Sequence, residues 1–186
     1  MNLPNKLTLL RVILIPVFCV FLCMEEWAGQ LITVLIFILA SLTDLLDGYI
    51  ARRDNLVTDF GKLVDPIADK LLITSAMIFM VAQGRMNAAV VLIFVAREFV
   101  VSAFRMLAAS RGTVIAADKL GKYKTATQTL AIVMLILFKP VGDSWALLGA
   151  AGMIAADVVT YIALALSIVS CADYIYKNRS IIDWQL

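Results

Sequence analysis

The sequence predicts an all-α integral membrane protein, a bundle of six transmembrane helices with a polar cavity that opens to the cytosol. Two observations predict the membrane. Hydrophobic residues make up 62% of the 186 residues, against about 45–50% in soluble domains. They also fall in runs long enough to cross a bilayer core. Four aspartates within these runs predict the cavity. Because little chain is left for a soluble domain, residues 1–186 are expected to form a single membrane domain.

Breaks in the apolar runs place the six predicted helices at 7–24, 29–52, 62–83, 87–110, 121–139 and 145–176. Acidic residues, glycine or proline interrupt the chain between helices, as at Glu25, Gly84 and Pro140. Pro16 within the first run, and Glu25 directly after it, favour a retained first helix over a cleaved signal peptide.

Positive charge is concentrated on one side of the predicted membrane. The loops on the side of the N-terminus hold ten cations: Lys6, Arg52, Arg53, Lys62, Arg111, Lys119, Lys122, Lys124, Lys177 and Arg179. The loops on the other side hold only Arg85 and Lys139. By the positive-inside rule, both termini and the 52–62 and 111–124 loops are expected to face the cytosol.

Residue types that are missing narrow the possible chemistry. The chain has no histidine, which excludes Ser-His and Cys-His catalysis and the HExxH zinc site. Cys19, Cys23 and Cys171 lie in apolar stretches and are expected to pack rather than to form a disulfide or bind metal. Any chemistry must therefore come from carboxylates, lysines, arginines and metal ions.

Four carboxylates lie in predicted membrane helices, where charge is costly. Asp44 and Asp47 are three residues apart in the second helix, and Asp65 and Asp69 are four apart in the third. Each spacing places a pair on one helical face. Both pairs lie toward the cytosolic ends of adjacent antiparallel helices, so all four can converge. Two hard divalent cations would neutralise them and suit phosphoryl transfer.

The alternative is that the aspartates are surface charges paired with Arg52, Lys62 or Lys70. Two glycines favour a site instead. Gly48 lies within a helix, at a cost of about 1 kcal/mol relative to alanine, and permits close approach of backbone or ligand. Gly61 opens the third helix, where free backbone N–H groups can meet a phosphate.

At this point the residues resemble a known family, the CDP-alcohol phosphotransferases. Eight positions carry the resemblance, in the pattern Asp44-x-x-Asp47-Gly48-x-x-Ala51-Arg52, eight residues, then Gly61-x-x-x-Asp65-x-x-x-Asp69. The six-helix layout extends it over essentially the whole chain. It implies a homodimeric enzyme that uses two Mg²⁺ or Mn²⁺ ions and transfers the phosphatidyl group of CDP-diacylglycerol to an alcohol, with release of CMP.

The resemblance also implies roles for individual residues. The four aspartates would bind the metal ions, and Asp69 would in addition be the general base on the acceptor hydroxyl. Gly48, Arg52 and Gly61 would line the pocket for the CDP moiety. Such a mechanism is physically coherent, because a pyrophosphate can be bridged by two metal ions while a carboxylate takes the alcohol proton.

A phosphorylated acceptor would need cations away from the metal ions. Arg97 and Arg105 lie roughly on one face of the fourth helix, and an arginine within the membrane indicates function. More cations follow in the next loop and helix: Arg111, Lys119, Lys122 and Lys124. Two alternatives stay open, since Arg97 can pair with Glu98 and the lysines can bind anionic lipid head groups.

Three segments, Asn2–Arg11, Ala96–Phe99 and Lys119–Thr125, are similar to the phosphatidylglycerophosphate synthases of the family. They favour glycerol 3-phosphate as the acceptor over serine, inositol phosphate or phosphatidylglycerol. Asn5 is predicted to cap the first helix and Arg11 to face the anionic cavity. The expected partners are CDP-diacylglycerol, glycerol 3-phosphate, membrane lipids and a second copy of the chain, but not nucleic acid.

A divalent-cation transporter is the distant alternative. Transporter sites lie near the middle of the bilayer, often between repeated halves, whereas these carboxylates lie toward one face and no repeat is visible. Asp157, inside the last helix, is expected to pair with a cation that the sequence does not identify, and Asp173 has no assigned role.

Overall fold

The computed structural model describes residues 2–53, 58–113, 119–139 and 148–179. Within these ranges the chain is helical, and its elements are α1 (Leu3–Leu22), α2 (Trp27–Arg53), α3 (Asp59–Ala82), α4 (Ala88–Ser110), α5 (Lys119–Phe138) and α6 (Gly149–Asn178). The six predicted helices are confirmed, and their ends shift by four residues at most. Residues 145–147 of the predicted sixth helix lie outside the described ranges.

Apolar surface covers the outside of the bundle. Leu35, Leu92 and Ile154 are each more than half exposed although they lie within helices. Within the described ranges, three helices are long and apolar enough to cross a membrane, namely Pro4–Leu22, Trp27–Gly48 and Gly149–Asn178. A surface of this kind is stable against lipid and not against water. The chain is therefore a membrane protein, as the composition predicted.

A core of fully buried aromatic and aliphatic side chains joins the helices. Phe18 of α1 and Phe37 of α2 pack with their ring centroids 5.6 Å apart, a separation typical of aromatic pairs. Met77 of α3, Phe94 of α4 and Ile132 of α5 continue this core. Helix α1 packs against both α2 and α3, and α6 packs against α4 and α5. Helix α1 is therefore the helix that joins α2 and α3, the two helices that carry the aspartates.

The first helix begins earlier than the sequence predicted. Its N-cap is Asn2, whose side chain accepts a hydrogen bond of 3.1 Å from the backbone N–H of Asn5. Pro4 lies in the first turn, where its missing N–H has no cost. The prediction that Asn5 caps α1 was therefore wrong, and the side chain of Asn5 is left to contact α3.

Candidate active site

Arg11 is the centre of the aspartate cluster. Its side chain is fully buried between α1 and α2, and Nε donates to the backbone oxygen of Ala40 at 3.2 Å. Nη1 lies 2.7 Å from Asp44 Oδ1, and Nη2 lies 2.5 Å from Asp47 Oδ2. The spacing of three between the aspartates places both carboxylates on the face of α2 that meets α1. Arg11, which the sequence predicted to face an anionic cavity, therefore contacts two of the four aspartates.

Thr8 joins the second aspartate pair to the first. Its hydroxyl lies 2.5 Å from Asp65 Oδ1 and 3.4 Å from Asp47 Oδ2. A hydroxyl has one hydrogen to donate, and the shorter contact assigns that hydrogen to Asp65. Thr8 precedes Arg11 by three residues, so the two side chains share one face of α1. A single face of α1 therefore contacts three of the four aspartates.

Asn5 and Thr58 hold the start of α3 against the start of α1. The Thr58 hydroxyl donates to Asn5 Oδ1 at 2.9 Å, and Thr58 caps α3 by accepting from the backbone N–H of Gly61 at 3.1 Å. That N–H is thus not free for a phosphate, contrary to the prediction. Gly61 is also closely packed, because a Cβ there would lie 3.3 Å from Asn5 Oδ1 and 3.5 Å from Asp65 Oδ2.

Substituting Gly61 by alanine is expected to press on Asn5 Oδ1, which Thr58 holds in place, and to destabilise the protein by about 1 kcal/mol, the low end of the cost of overpacking. The measurement is the thermal melting temperature in detergent. Gly121→Ala is the matched control, because a Cβ at that helical position would meet only Arg97 Nη2, at 4.0 Å. Equal melting temperatures for the two variants would contradict the packing role of Gly61.

A second charged cluster lies between α4, α5 and α6. Arg97 Nη1 lies 2.9 Å from Glu98 Oε1, and its Nη2 donates to Ser170 of α6 at 3.0 Å. Lys124 of α5 is buried and makes an ion pair with the same Glu98 oxygen. Asp69 interacts electrostatically with Glu98 and Lys124 as well as with Asp44. Charges of both clusters therefore act on Asp69.

Glu98→Gln is expected to destabilise the protein by about 1–3 kcal/mol, because Lys124 would remain buried without its counter-charge. Thermal melting in detergent measures this effect. Glu25→Gln, a change of the same kind at an exposed carboxylate before α2, is the control and should leave the melting temperature unchanged. A Glu98→Gln variant as stable as this control would show that the cluster does not hold the three helices together.

Comparison with known proteins identifies this arrangement. A sequence profile of the CDP-alcohol phosphatidyltransferases matches residues 1–175. The chain belongs to that family. Three similar proteins all bear the name CDP-diacylglycerol–glycerol-3-phosphate 3-phosphatidyltransferase. One from Bacillus subtilis is 38% identical over 193 residues, covering 95% of each chain. One from Rickettsia felis is 43% identical over 136 residues, 73% of this chain and 75% of its own. One from Arabidopsis thaliana is 34% identical over 192 residues, 95% of this chain and 79% of its own.

Several family-signature residues can now be placed in this CDP-alcohol phosphatidyltransferase. Asp44, Asp47 and Asp65 surround Arg11 and Thr8, and Asp69 lies one turn further along α3 with its side chain exposed. Gly48 follows Asp47 and is half-buried. Arg52 is in α2, and its side chain lies outside the described part of the structure. The interpretation of the aspartates as surface charges paired with Lys70 is not favoured, since Lys70 donates to Ser102 of α4.

The candidate acceptor cations are spread over one end of α4 and α5. Arg105 is exposed, with its guanidinium carbon 5.9 Å from the centre of the Tyr174 ring. Arg111 caps the end of α4 and Lys122 lies on α5, and both are exposed. Lys119 is the first residue of α5, and its side chain is outside the described atoms. Arg97 pairs with Glu98. The alternative that Arg97 pairs with its neighbour, rather than with an acceptor phosphate, is therefore confirmed.

Carboxylate oxygens and the Thr8 hydroxyl are the ligand types that Mg²⁺ and Mn²⁺ prefer, so the donor set of this family member fits a hard divalent cation. Among the described residues, however, no three Asp, Glu or Cys side chains lie close enough together to hold a metal ion. Arg11 instead supplies positive charge between Asp44 and Asp47.

Sequence analysis missed two contributors to the site. Thr8 and Thr58 were not singled out, although each touches a signature position or its immediate partner. Thr8 carried a signal in its spacing of three from Arg11, which places it on the same helical face. Thr58 is an ordinary N-cap residue three positions before Gly61, and nothing local indicates that it also reaches Asn5.

Proposed function

We propose that this protein transfers the phosphatidyl group of CDP-diacylglycerol to the hydroxyl of sn-glycerol 3-phosphate, giving phosphatidylglycerophosphate and CMP in phospholipid biosynthesis. The observation that carries the proposal is the likeness to the Bacillus subtilis protein of that name, at 38% identity over 95% of both chains. The family membership and the buried aspartate cluster at one end of membrane helices support it. Both fit a lipid substrate whose reacting head lies at the membrane surface.

The metal ions belong to this proposal. Asp44, Asp47, Asp65 and Asp69 would hold two Mg²⁺ or Mn²⁺ ions. Bound there, the ions would neutralise the pyrophosphate and stabilise the CMP leaving group. Nη1 of Arg11 contacts Asp44 Oδ1 and Nη2 contacts Asp47 Oδ2, so the guanidinium would lie beside the ions and share the negative charge of these two carboxylates.

Asp69 is proposed as the general base because it differs from the other carboxylates in its exposure and contacts. Asp47 is only 2% exposed and is held by Arg11, whereas the side chain of Asp69 is exposed. Asp69 takes the proton of the acceptor hydroxyl as the oxygen attacks the phosphorus that bears the lipid. The bond from that phosphorus to the CMP oxygen breaks, and CMP leaves with the electron pair.

The remaining site residues are proposed on the same basis. Gly48, Arg52 and Gly61 lie on the two helices that carry the aspartates, next to where the CDP moiety would bind. The acceptor phosphate would be bound by cations at the C-terminal end of α4 and the N-terminal end of α5. These are Arg105, Arg111 and Lys122, which are exposed, together with Lys119. Exposed arginine and lysine side chains can close on a phosphate that arrives from solution.

The membrane arrangement completes the proposal. All six helices would span a bacterial inner membrane, with both termini and the aspartates at the cytosolic face. The chain would work as a homodimer and as one domain. Light scattering of the protein in detergent would measure whether it is a dimer. Cysteine accessibility in intact cells would measure which side of the membrane the termini and the aspartates face.

CMP release in detergent with Mg²⁺ tests the function, with each acceptor supplied separately. Turnover with glycerol 3-phosphate alone, abolished by EDTA, is the expected result. Turnover with serine, inositol phosphate or phosphatidylglycerol instead would keep the reaction type and overturn the acceptor. Folded protein that turns over none of them, but moves divalent cations across vesicles, would overturn the enzyme assignment in favour of a transporter.

A further inference from the structure

A pocket of 380 Å³ lies at the end of the bundle opposite the aspartates. It is formed by the turn between α3 and α4, the end of α5 and the first third of α6, and its polar lining includes Arg85, Asn87, Lys139 and Asp157. Sixteen residues of chain separate Asp69 from Arg85, about 24 Å if all were helical at 1.5 Å per residue. The pocket is therefore separate from the candidate active site.

The end of α3 turns Arg85 into the protein. Gly84 has a positive φ of 69°, and its N–H donates to Val81 at 3.0 Å while that of Arg85 donates to Met80 at 2.8 Å. These are the two bonds of a Schellman motif, which reverses the chain after a helix. Because of this reversal the side chain of Arg85 is only 1% exposed.

Arg85 has donors that the described residues do not use. Nη2 donates to Gln30 Oε1 at 2.8 Å, but Nε and Nη1 have no hydrogen-bond partner among the described residues. No described carboxylate makes an ion pair with it. Burial lowers the pKa of Arg85 to about 10, so it stays charged at neutral pH. A buried cation with unused donors indicates that something else accepts from it, since unpaired buried donors are costly.

The rest of the pocket is suited to an anion. Lys139 Nζ lies 3.0 Å from Asp157 Oδ1, which identifies the cation that pairs with Asp157. With Arg85, these charges leave the lining with one net positive charge. Asn87 caps α4 with its side-chain oxygen and lines the pocket. The N-terminus of α4, which is the positive end of the helix dipole, therefore lies at the pocket.

We propose that this pocket is a second anion site, which binds a phosphate group through Arg85 and Lys139. Arginine recognises phosphate by paired N–H donors, and lysine does so as a point charge. The phosphate could be free or part of a phospholipid head group. The volume exceeds that of an inorganic phosphate, and Tyr161, Val158 and Ile154 present exposed apolar surface beside it on α6, as a lipid-borne phosphate would require.

Thermal melting of the full chain in detergent tests the proposal with two probes, inorganic phosphate and short-chain phosphatidic acid. Sodium chloride of equal ionic strength and a short-chain phosphatidylcholine serve as blanks. A probe that binds the folded protein raises its melting temperature. The variants are Arg85→Gln and Lys139→Gln. The matched control is Lys177→Gln, since Lys177 also pairs with an aspartate, Asp173, at 2.6 Å, near the other end of α6.

At least one probe should raise the melting temperature of the parent and of Lys177→Gln. Both pocket variants should bind that probe at least about tenfold more weakly, which corresponds to a loss of about 1.4 kcal/mol in binding free energy. A shift with phosphatidic acid alone would identify the lipid as the source, and a shift with inorganic phosphate would identify free phosphate. No shift with either probe, or an equal shift in Lys139→Gln, would overturn the proposal. If Arg85→Gln fails to fold, the change in probe binding in Lys139→Gln alone tests the proposal.

Discussion

Asp69→Asn is expected to lower CMP release by about 10²–10⁴-fold, the usual contribution of a positioned general base. The amide cannot take the proton of the acceptor hydroxyl, although it keeps the size of the side chain. The loss should appear in kcat, with little change in the melting temperature, because the side chain of Asp69 is exposed and is not held by Arg11. Steady-state kinetics with glycerol 3-phosphate in Mg²⁺ measure it.

Asp173→Asn is the matched control for this experiment. It makes the same chemical change at an aspartate that pairs with Lys177 on α6 and has no proposed role in the reaction. We expect it to retain the activity of the parent protein. Full activity in Asp69→Asn, with the control also active, would remove Asp69 from the role of base and leave that role to another carboxylate of the cluster.

Arg11→Met is expected to produce the largest loss of stability, about 3–5 kcal/mol, because it removes a buried guanidinium that pairs with both Asp44 and Asp47. For a chain of this size the melting temperature should fall by roughly 10 °C. Methionine keeps much of the apolar volume of the arginine stem, so the lost charge and hydrogen bonds account for most of the effect. The measurement is thermal melting in EDTA.

The same variant also tests the proposed metal site. If the aspartates bind Mg²⁺ or Mn²⁺, added cation should raise the melting temperature of Arg11→Met more than that of the parent, because it replaces the missing charge. Arg105→Met serves as the control for loss of an exposed arginine and should melt near the parent temperature. An equal response to metal in Arg11→Met and the parent would argue against metal binding by these carboxylates.

The sequence alone was sufficient for the class of protein, the six helices and the aspartate signature. These features are local, since apolar runs show their length directly and spacings of three and four place Asp44 with Asp47, and Asp65 with Asp69, on single helical faces. The role of Arg11 was also accessible, because a cation within the first apolar run needs an anionic partner. Asn5 was misassigned because two asparagines near the start of α1 can each act as an N-cap. In the structure Asn2 is the N-cap, and it accepts from the backbone N–H of Asn5.

Contacts between helices could be read only from the folded chain. Nothing near Thr8 in the sequence indicates that its hydroxyl contacts Asp47 and Asp65, and nothing near Thr58 indicates that its hydroxyl reaches Asn5. The pairing of Asp157 with Lys139 depends on how α5 packs against α6. Arg85 reads in the sequence as a loop cation, and its burial follows from the turn at Gly84. Such contacts join residues that are far apart along the chain. They cannot be predicted from the periodicity of the sequence, because that periodicity indicates only which face of a helix a residue lies on.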